Sequence, residues 1–115
     1  MPLLKMHTST PVPEDKKEGL IKALSKITAE SIGKPESYVM VVLAEGAMAM
    51  GGELGPTAFA DVRSIGGLSG SVNRDISQKV CALLEGTLGI PANRVYLSFN
   101  SSAAADWGWD GGTFG

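Results

Sequence analysis

The chain has 115 residues, enough for one domain with a hydrophobic core and too few for two. Apolar residues make up 43% and charged residues 19%, and basic and acidic side chains are mixed along the chain to give a net charge of −2. This balance excludes a disordered chain and gives no basic surface for nucleic acid. The single cysteine, Cys81, excludes an intramolecular disulfide, and no histidine–cysteine cluster with metal-ligand spacing occurs. We expect residues 1–115 to form one domain that needs neither metal nor organic cofactor.

The amino terminus, MPLLK, raises both a localisation and a chemical question. It lacks the basic segment and long apolar run of a signal peptide, and no stretch is apolar for the length of a membrane span. We therefore expect a cytoplasmic protein with no membrane partner, with secretion independent of a signal peptide as the alternative. Removal of Met1 would leave Pro2 as a free secondary amine. An apolar pocket and a neighbouring lysine would both lower the pKa of that amine, so Pro2 is a candidate general base. The alternative is that proline at this position only permits removal of the methionine.

The first half of the chain has the pattern of a strand, a helix and a strand. LLKMHT at 3–8 has strand composition, and residues 14–32 place apolar side chains at helical spacing. Gly33 followed by Pro35 is a helix stop, and residues 38–43 are again typical of a strand. Three acidic residues fall in the expected first helical turn, where the helix dipole stabilises them, namely Glu14, Asp15 and Glu18.

The second half repeats this pattern. Residues 44–57 are a glycine-rich connection, with a short strand in AMAM as an option, and they lead to a strand at 59–64. A helix is expected at about 71–88, followed by a strand at 95–99. Residues 58–99 thus form an internal repeat of residues 2–43. The repeat aligns Gly33 with Gly89, Pro35 with Pro91, and Val39 with Val95.

Two tandem βαβ units predict an α+β fold with a four-stranded mixed sheet and two helices on one face, because right-handed crossovers place both helices there. The strand YVMVVL is apolar at successive positions, so both of its faces need burial. The chain has no residues left for a third layer. We therefore expect an obligate homo-oligomer.

Six stretches occur in order from one end of the chain to the other: MPLLKMHTSTP, GKPESY, AMAMGG, SIGGLSGSVNR, RVYLSF and WGWDGGTFG. Together they resemble the macrophage migration inhibitory factor family of tautomerases with an N-terminal proline. The resemblance implies a homotrimer with pockets between subunits and a keto–enol tautomerase acting on 2-oxo acids such as phenylpyruvate.

The resemblance also implies roles for individual residues. Pro2 would be the catalytic base, Lys34 would bind the substrate carboxylate and keep Pro2 neutral, and the backbone N–H of Ile65 would bind the same anion. Four aromatic side chains would line the pocket or its rim, namely Tyr38, Tyr96, Trp107 and Trp109. Ser98 stands where mammalian members have an asparagine, and Phe99 and Asn100 replace two tyrosines. The CxxC motif of mammalian members is absent, because its positions read TAFA at 57–60.

Other interpretations stay open. Lys34 at a helix end could complement the helix dipole, and the four aromatic residues could be core or interface residues. The glycines of SIGGLSGSVN could cradle a phosphate, although the P-loop spacing is missing. Animal members of the family act as cytokines, so a receptor-binding signalling protein is an alternative to the enzyme. Retained Met1 would make the Pro2 nitrogen a tertiary amide, which cannot act as a base.

Overall fold

The computed structural model describes residues 1–115. It contains two long helices and six strands, joined by turns and three short 3₁₀ segments. In chain order the strands and helices are β1 (Leu3–Thr8), α1 (Glu14–Ile32), β2 (Met40–Glu45), β3 (Ala58–Ser64), α2 (Gly70–Leu88), β4 (Val95–Ser101), β5 (Gly108–Trp109) and β6 (Gly112–Thr113). The 3₁₀ segments are Glu36–Tyr38, Ala92–Arg94 and Ala104–Asp106. Neither long helix is apolar enough to cross a bilayer.

The main sheet has the strand order β2-β1-β3-β4. β1 and β2 are parallel, β3 and β4 are parallel, and the two pairs meet in the antiparallel contact between β1 and β3. The predicted fold class, with two βαβ units and a mixed sheet, is confirmed. The parallel strands have the same register in both units. Leu3 pairs with Met40 in the first, and their counterparts in the repeat, Phe59 and Tyr96, pair in the second.

The helices cover one face of the sheet, and side chains alternate between this face and the other. The helix-covered face carries the core, which includes Leu4, Met6, Ala60 and Val62 of the central strands and Leu24, Ile76 and Leu84 of the helices. The other face, called the open face here, leaves large side chains in solvent: Met40 is 63% exposed and Tyr96 is 67% exposed. Apolar side chains left exposed in this way are typical of a surface that another chain covers.

Both long helices end at the glycines predicted from the sequence. Gly33 and Gly89 adopt the left-handed conformation, and each returns its N–H to a carbonyl of the last helical turn. The start of α1 differs in one detail, because Glu18 lies in the second turn and not in the first. There it forms a salt bridge of 2.8 Å with Lys22 one turn later.

Three local features differ from the sequence prediction. Residues 47–50 do not form a strand, because the two positive-φ glycines 51 and 52 turn the chain back after a single bridge between Met50 and Glu53. β2 begins at Met40, since residues 36–38 form a 3₁₀ turn before it. The hairpin of β5 and β6 was missed. Its two-residue turn, Asp110 and Gly111, has positive φ at both positions, which is the geometry that an Asp-Gly pair favours.

Candidate active site

A cavity of about 500 Å³ lies at the end of the sheet where β1 begins. Its walls come from the first residues of β1, the chain entering β2, the end of β3 and the carboxyl-terminal hairpin. β3 runs antiparallel to β1 and β4 runs parallel to β3, so both β3 and β4 end at this edge. Ser102, just after β4, donates its N–H to the Ser64 carbonyl at 2.9 Å and directs the chain towards the hairpin. The topology therefore brings both chain ends to one cavity.

Pro2 is fully buried and lines this cavity. Its carbonyl accepts a hydrogen bond of 3.1 Å from the N–H of Met40, which continues the parallel ladder that starts at Leu3. Proline has no N–H to donate, so the nitrogen side of residue 2 needs no partner in the sheet. The amino-terminal nitrogen thus lies at a fixed position in the wall of an apolar site.

Lys34 is the cation that acts on the amino terminus. Partial burial, and then the positive charge of Lys34, lower the pKa of the Met1 amino group. A Cβ atom on Gly67 would meet the Lys34 side chain at 3.5 Å, which places the turn after β3 beside Lys34. Ile65 belongs to the same turn, which a hydrogen bond of 2.6 Å from the Ser64 hydroxyl to the Gly66 carbonyl holds closed. The amino terminus, Lys34 and this turn therefore lie in one neighbourhood.

Aromatic side chains form the outer part of the cavity. Tyr38, Trp107 and Trp109 line it together with Phe114. The rings of Trp109 and Phe114 stack with centroids 5.5 Å apart and planes 12° apart. The Phe114 N–H donates to the Trp107 carbonyl at 3.1 Å, so the hairpin keeps Trp107, Trp109 and Phe114 close together. Trp109 is 60% exposed, which leaves its ring free to contact a bound molecule or another subunit.

The structure brings together part of the predicted site residues. Pro2, Tyr38, Trp107 and Trp109 share the cavity, and Lys34 and Ile65 lie next to it, outside its lining. Tyr96 and Ser98 are remote. Tyr96 pairs with Phe59 at the far end of the sheet, whereas the cavity lies where Leu3 pairs with Arg63. Both remote side chains are exposed on the open face, as the alternation of β4 predicted.

The lining residues that sequence reasoning missed include Arg63, Asp106 and Phe114. The position of Arg63 could have been found from parity, because it follows Phe59 and Asp61 on one face of β3. The Asp-Gly pair at residues 110 and 111 is the hairpin signal that could have indicated how Phe114 returns to Trp109.

Two alternative chemistries find little support in the geometry. The Val72 N–H at the start of α2 is already bonded to the Ser69 hydroxyl at 3.2 Å, so this helix end does not offer a free donor there for a phosphate. Cys81 is half-buried, and burial together with Glu85 raises the pKa of its thiol, which makes it less reactive.

Two βαβ units side by side, with the chain start buried in an aromatic cavity, define a protein of the tautomerase fold. The family model described as Macrophage migration inhibitory factor (MIF) matches residues 1–115. The chain belongs to this family, as the motifs had indicated.

Relatives and solved structures agree with this assignment. A macrophage migration inhibitory factor homolog of Trichuris trichiura is 38% identical over 115 residues, covering 99% of this chain and all of that protein. The crystal structure of a homologue from Prochlorococcus marinus is 43% identical with a TM-score of 0.92, covering 98% of this chain and 99% of the other. A MIF-like protein from Entamoeba histolytica has a TM-score of 0.94 at 34% identity, covering 98% of each chain.

Proposed function

We propose that this protein is a keto–enol tautomerase whose base is the Pro2 nitrogen, freed when Met1 is removed. The observation that carries the proposal is the complete burial of Pro2 in the wall of an aromatic cavity beside Lys34. Burial and the positive charge of Lys34 both lower the pKa of the Met1 amino group, and they would act in the same direction on an amine at Pro2. A neutral amine with a pKa near the working pH is well suited to general base catalysis.

The reaction is a proton transfer with no net redox change. In the keto-to-enol direction, Pro2 takes a proton from the carbon next to the carbonyl of a 2-oxo acid, which leaves an enolate. The enolate oxygen takes a proton from water, and protonated Pro2 returns its proton to water. Lys34 and the backbone N–H of Ile65 hold the carboxylate, which positions the reacting carbon at the nitrogen. The aromatic rings of Tyr38, Trp107 and Trp109 accommodate an apolar tail such as the phenyl ring of phenylpyruvate.

Met1 determines whether the base exists. While Met1 is attached, the Pro2 nitrogen is a tertiary amide without basicity, and Met1 itself takes up part of the cavity lining. The active form is therefore the chain that starts at Pro2.

The assay is ultraviolet detection of phenylpyruvate tautomerisation on protein whose Met1 removal has been verified by intact-mass spectrometry. Pro2→Ala should lower kcat/KM by about 10²-fold, because the primary amine that remains is no longer held by the pyrrolidine ring and misplacement of a catalytic group costs about that much. Pro11→Ala is the matched control, since Pro11 is exposed and lies outside the cavity. A processed wild-type chain with no rate above buffer, or a chain retaining Met1 that is as fast as the processed chain, would disprove the proposal.

We also propose a homotrimer in which Tyr96 of one subunit completes the cavity of its neighbour. Two observations support this arrangement. Apolar groups of the open face are exposed, and Tyr96 lies at the end of the sheet away from the cavity of its own subunit. Mixing denatured Pro2→Ala and Tyr96→Ala chains and refolding them should then restore activity. Random assembly in a closed ring leaves about a quarter of the pockets with both native residues. No recovery above the two separate variants would mean that each pocket uses its own Tyr96, or none.

A signalling role is the second candidate, because the family is named for an effect on macrophage migration. The Pro2→Ala variant distinguishes the two functions. A variant that loses tautomerase activity and keeps its effect on cell migration would assign that effect to another surface.

A further inference from the structure

We infer that Arg63 forms a second anion-binding subsite in the Pro2 cavity, and that the preferred substrates are 2-oxo acids with a second carboxylate. This inference rests on the proposed tautomerase and goes beyond it, because it names the substrate class. The family resemblance accounted only for one carboxylate, the one at Lys34 and Ile65.

Arg63 reaches the cavity because of its register. It lies directly opposite Leu3 in the antiparallel pair of β3 and β1, where Cα atoms are about 4.5–5.5 Å apart. Residues that face each other in this way project from the same side of a sheet. The Arg63 side chain therefore extends from the open face beside Leu3, the residue that follows Pro2, and it lines the cavity.

The Asp61 carboxylate binds two nitrogens of the Arg63 guanidinium and leaves the third unbonded. Arg63 Nε lies 3.4 Å from Asp61 Oδ1, and Nη2 lies 3.0 Å from Asp61 Oδ2. Nη1 has no hydrogen-bond partner in the protein, and the Arg63 side chain is 53% exposed. A guanidinium anchored along one edge still offers the terminal pair of nitrogens to a carboxylate, which is the planar recognition in which arginine exceeds lysine.

The acidic side chains near Arg63 leave its terminal nitrogens available to an anion. Asp61 is already paired with Arg63, and its oxygens accept along the anchored edge. Asp106 is the one acidic residue in the lining, and it makes no salt bridge to Arg63. The cation therefore keeps donors free for a ligand.

Lys34 and Arg63 approach the amino terminus from different elements. Lys34 follows α1 on the helix-covered side and contacts the turn after β3, whereas Arg63 extends from the open face. A 2-oxo dicarboxylate carries its reacting carbon between two carboxylates. With one carboxylate at Lys34 and the other at Arg63, that carbon would lie near Pro2, because Leu3 faces Arg63 and the charge of Lys34 acts on the amino terminus.

The test uses two substrates that differ only in the distal carboxylate, namely 2-oxoglutarate and 2-oxopentanoate. Exchange of the C3 protons for deuterium is followed by proton NMR with both, and with phenylpyruvate as a third substrate, on chain lacking Met1. We expect wild-type kcat/KM to be about tenfold or more higher for 2-oxoglutarate than for 2-oxopentanoate, because charge-assisted hydrogen bonds give such factors.

Arg63→Met should remove this preference, so that the ratio of the two kcat/KM values falls towards one. Arg63→Lys keeps the positive charge but loses the planar pair of donors, so it should keep part of the preference for 2-oxoglutarate. Arg74→Met is the matched control, because Arg74 is an exposed arginine of α2 outside the cavity, and its ratio should equal that of wild type.

The outcomes separate the two proposals. Wild-type activity on phenylpyruvate without a preference for 2-oxoglutarate overturns the Arg63 subsite alone, as does an Arg63→Met variant in which both rates fall by the same factor. Absence of exchange with all three substrates overturns the tautomerase itself, and the subsite with it.

Discussion

Replacing Gly67 by alanine tests the contact that places the turn after β3 beside Lys34. A Cβ at position 67 would lie 2.6 Å from Ile32 Cγ2 and 3.2 Å from the Ile32 carbonyl oxygen. Ile32 is buried in the core at the end of α1, so it has little space in which to yield. Gly67 also has φ of 82°, in the left-handed region that is unfavourable for other residues.

Two comparison variants separate these two costs. Gly66 has a similar φ of 72°, and a methyl group added there would have no neighbour within 4 Å, so Gly66→Ala measures the backbone cost alone, about 1–2 kcal/mol. Gly67→Ala adds the overpacking against Ile32, about 1–3 kcal/mol, for a total loss of about 2–5 kcal/mol. Gly19→Ala, at an exposed and open position inside α1, should instead stabilise the protein by about 0.5–1 kcal/mol.

The assay is urea denaturation followed by circular dichroism, with all variants at one protomer concentration because subunit association would add to the measured stability. The order of midpoints should be Gly19→Ala above wild type, then Gly66→Ala, then Gly67→Ala. Gly67→Ala should also raise KM for phenylpyruvate, since the displaced turn carries Ile65 and contacts Lys34. A Gly67→Ala protein as stable as Gly66→Ala would refute the described contact with Ile32.

Three further results are expected. Lys34→Met removes a positive charge that lowers the pKa of the amino-terminal amine, so the rise of kcat/KM with pH should move to higher pH in a full pH–rate profile; a shift to lower pH would contradict this sign. Phe114→Ala removes the ring stacked on Trp109 and should destabilise the hairpin by about 0.5–1.5 kcal/mol; the less firmly held Trp109 should then raise the KM for phenylpyruvate, with kcat changed less. Sedimentation equilibrium should give a particle of three times 11.9 kDa, and a single-chain mass would refute the trimer.

The fold was predictable because its signals are local and occur twice. Helical spacing, a Gly-Pro stop and a β-rich segment recur in each half, so each half supports the assignment of the other. The bounds of α1 agree with the prediction at both ends, Glu14 and Ile32. The strand proposed at 47–50 failed because composition does not show whether a neighbouring strand is available to pair with it.

The site was less predictable, since its members come from distant parts of the chain. Pro2, Tyr38 and the two tryptophans were identified from motifs. A motif does not show the strand pairing that determines how far apart these residues lie in the fold. Alternation along β3 indicates the face on which Arg63 lies, but its proximity to Pro2 follows from pairing with Leu3, which the sequence of β3 alone does not show. In the proposed trimer the roles of Tyr96 and Ser98 would depend on a second chain, and so lie beyond the geometry of one protomer.

The repeat also explains why only one half of the molecule could supply the proposed base. The shared register makes Phe59 the counterpart of Leu3, and hence Ala58 the counterpart of Pro2. Both of these positions are buried beside a strand start, so the second unit offers a similar enclosure. The nitrogen of Ala58 is nevertheless a peptide nitrogen with no basicity, whereas the nitrogen of Pro2 becomes an amine once Met1 is removed. A chain end is the one place in such a repeat where a backbone nitrogen can be a base, and the fold buries that end beside a cation.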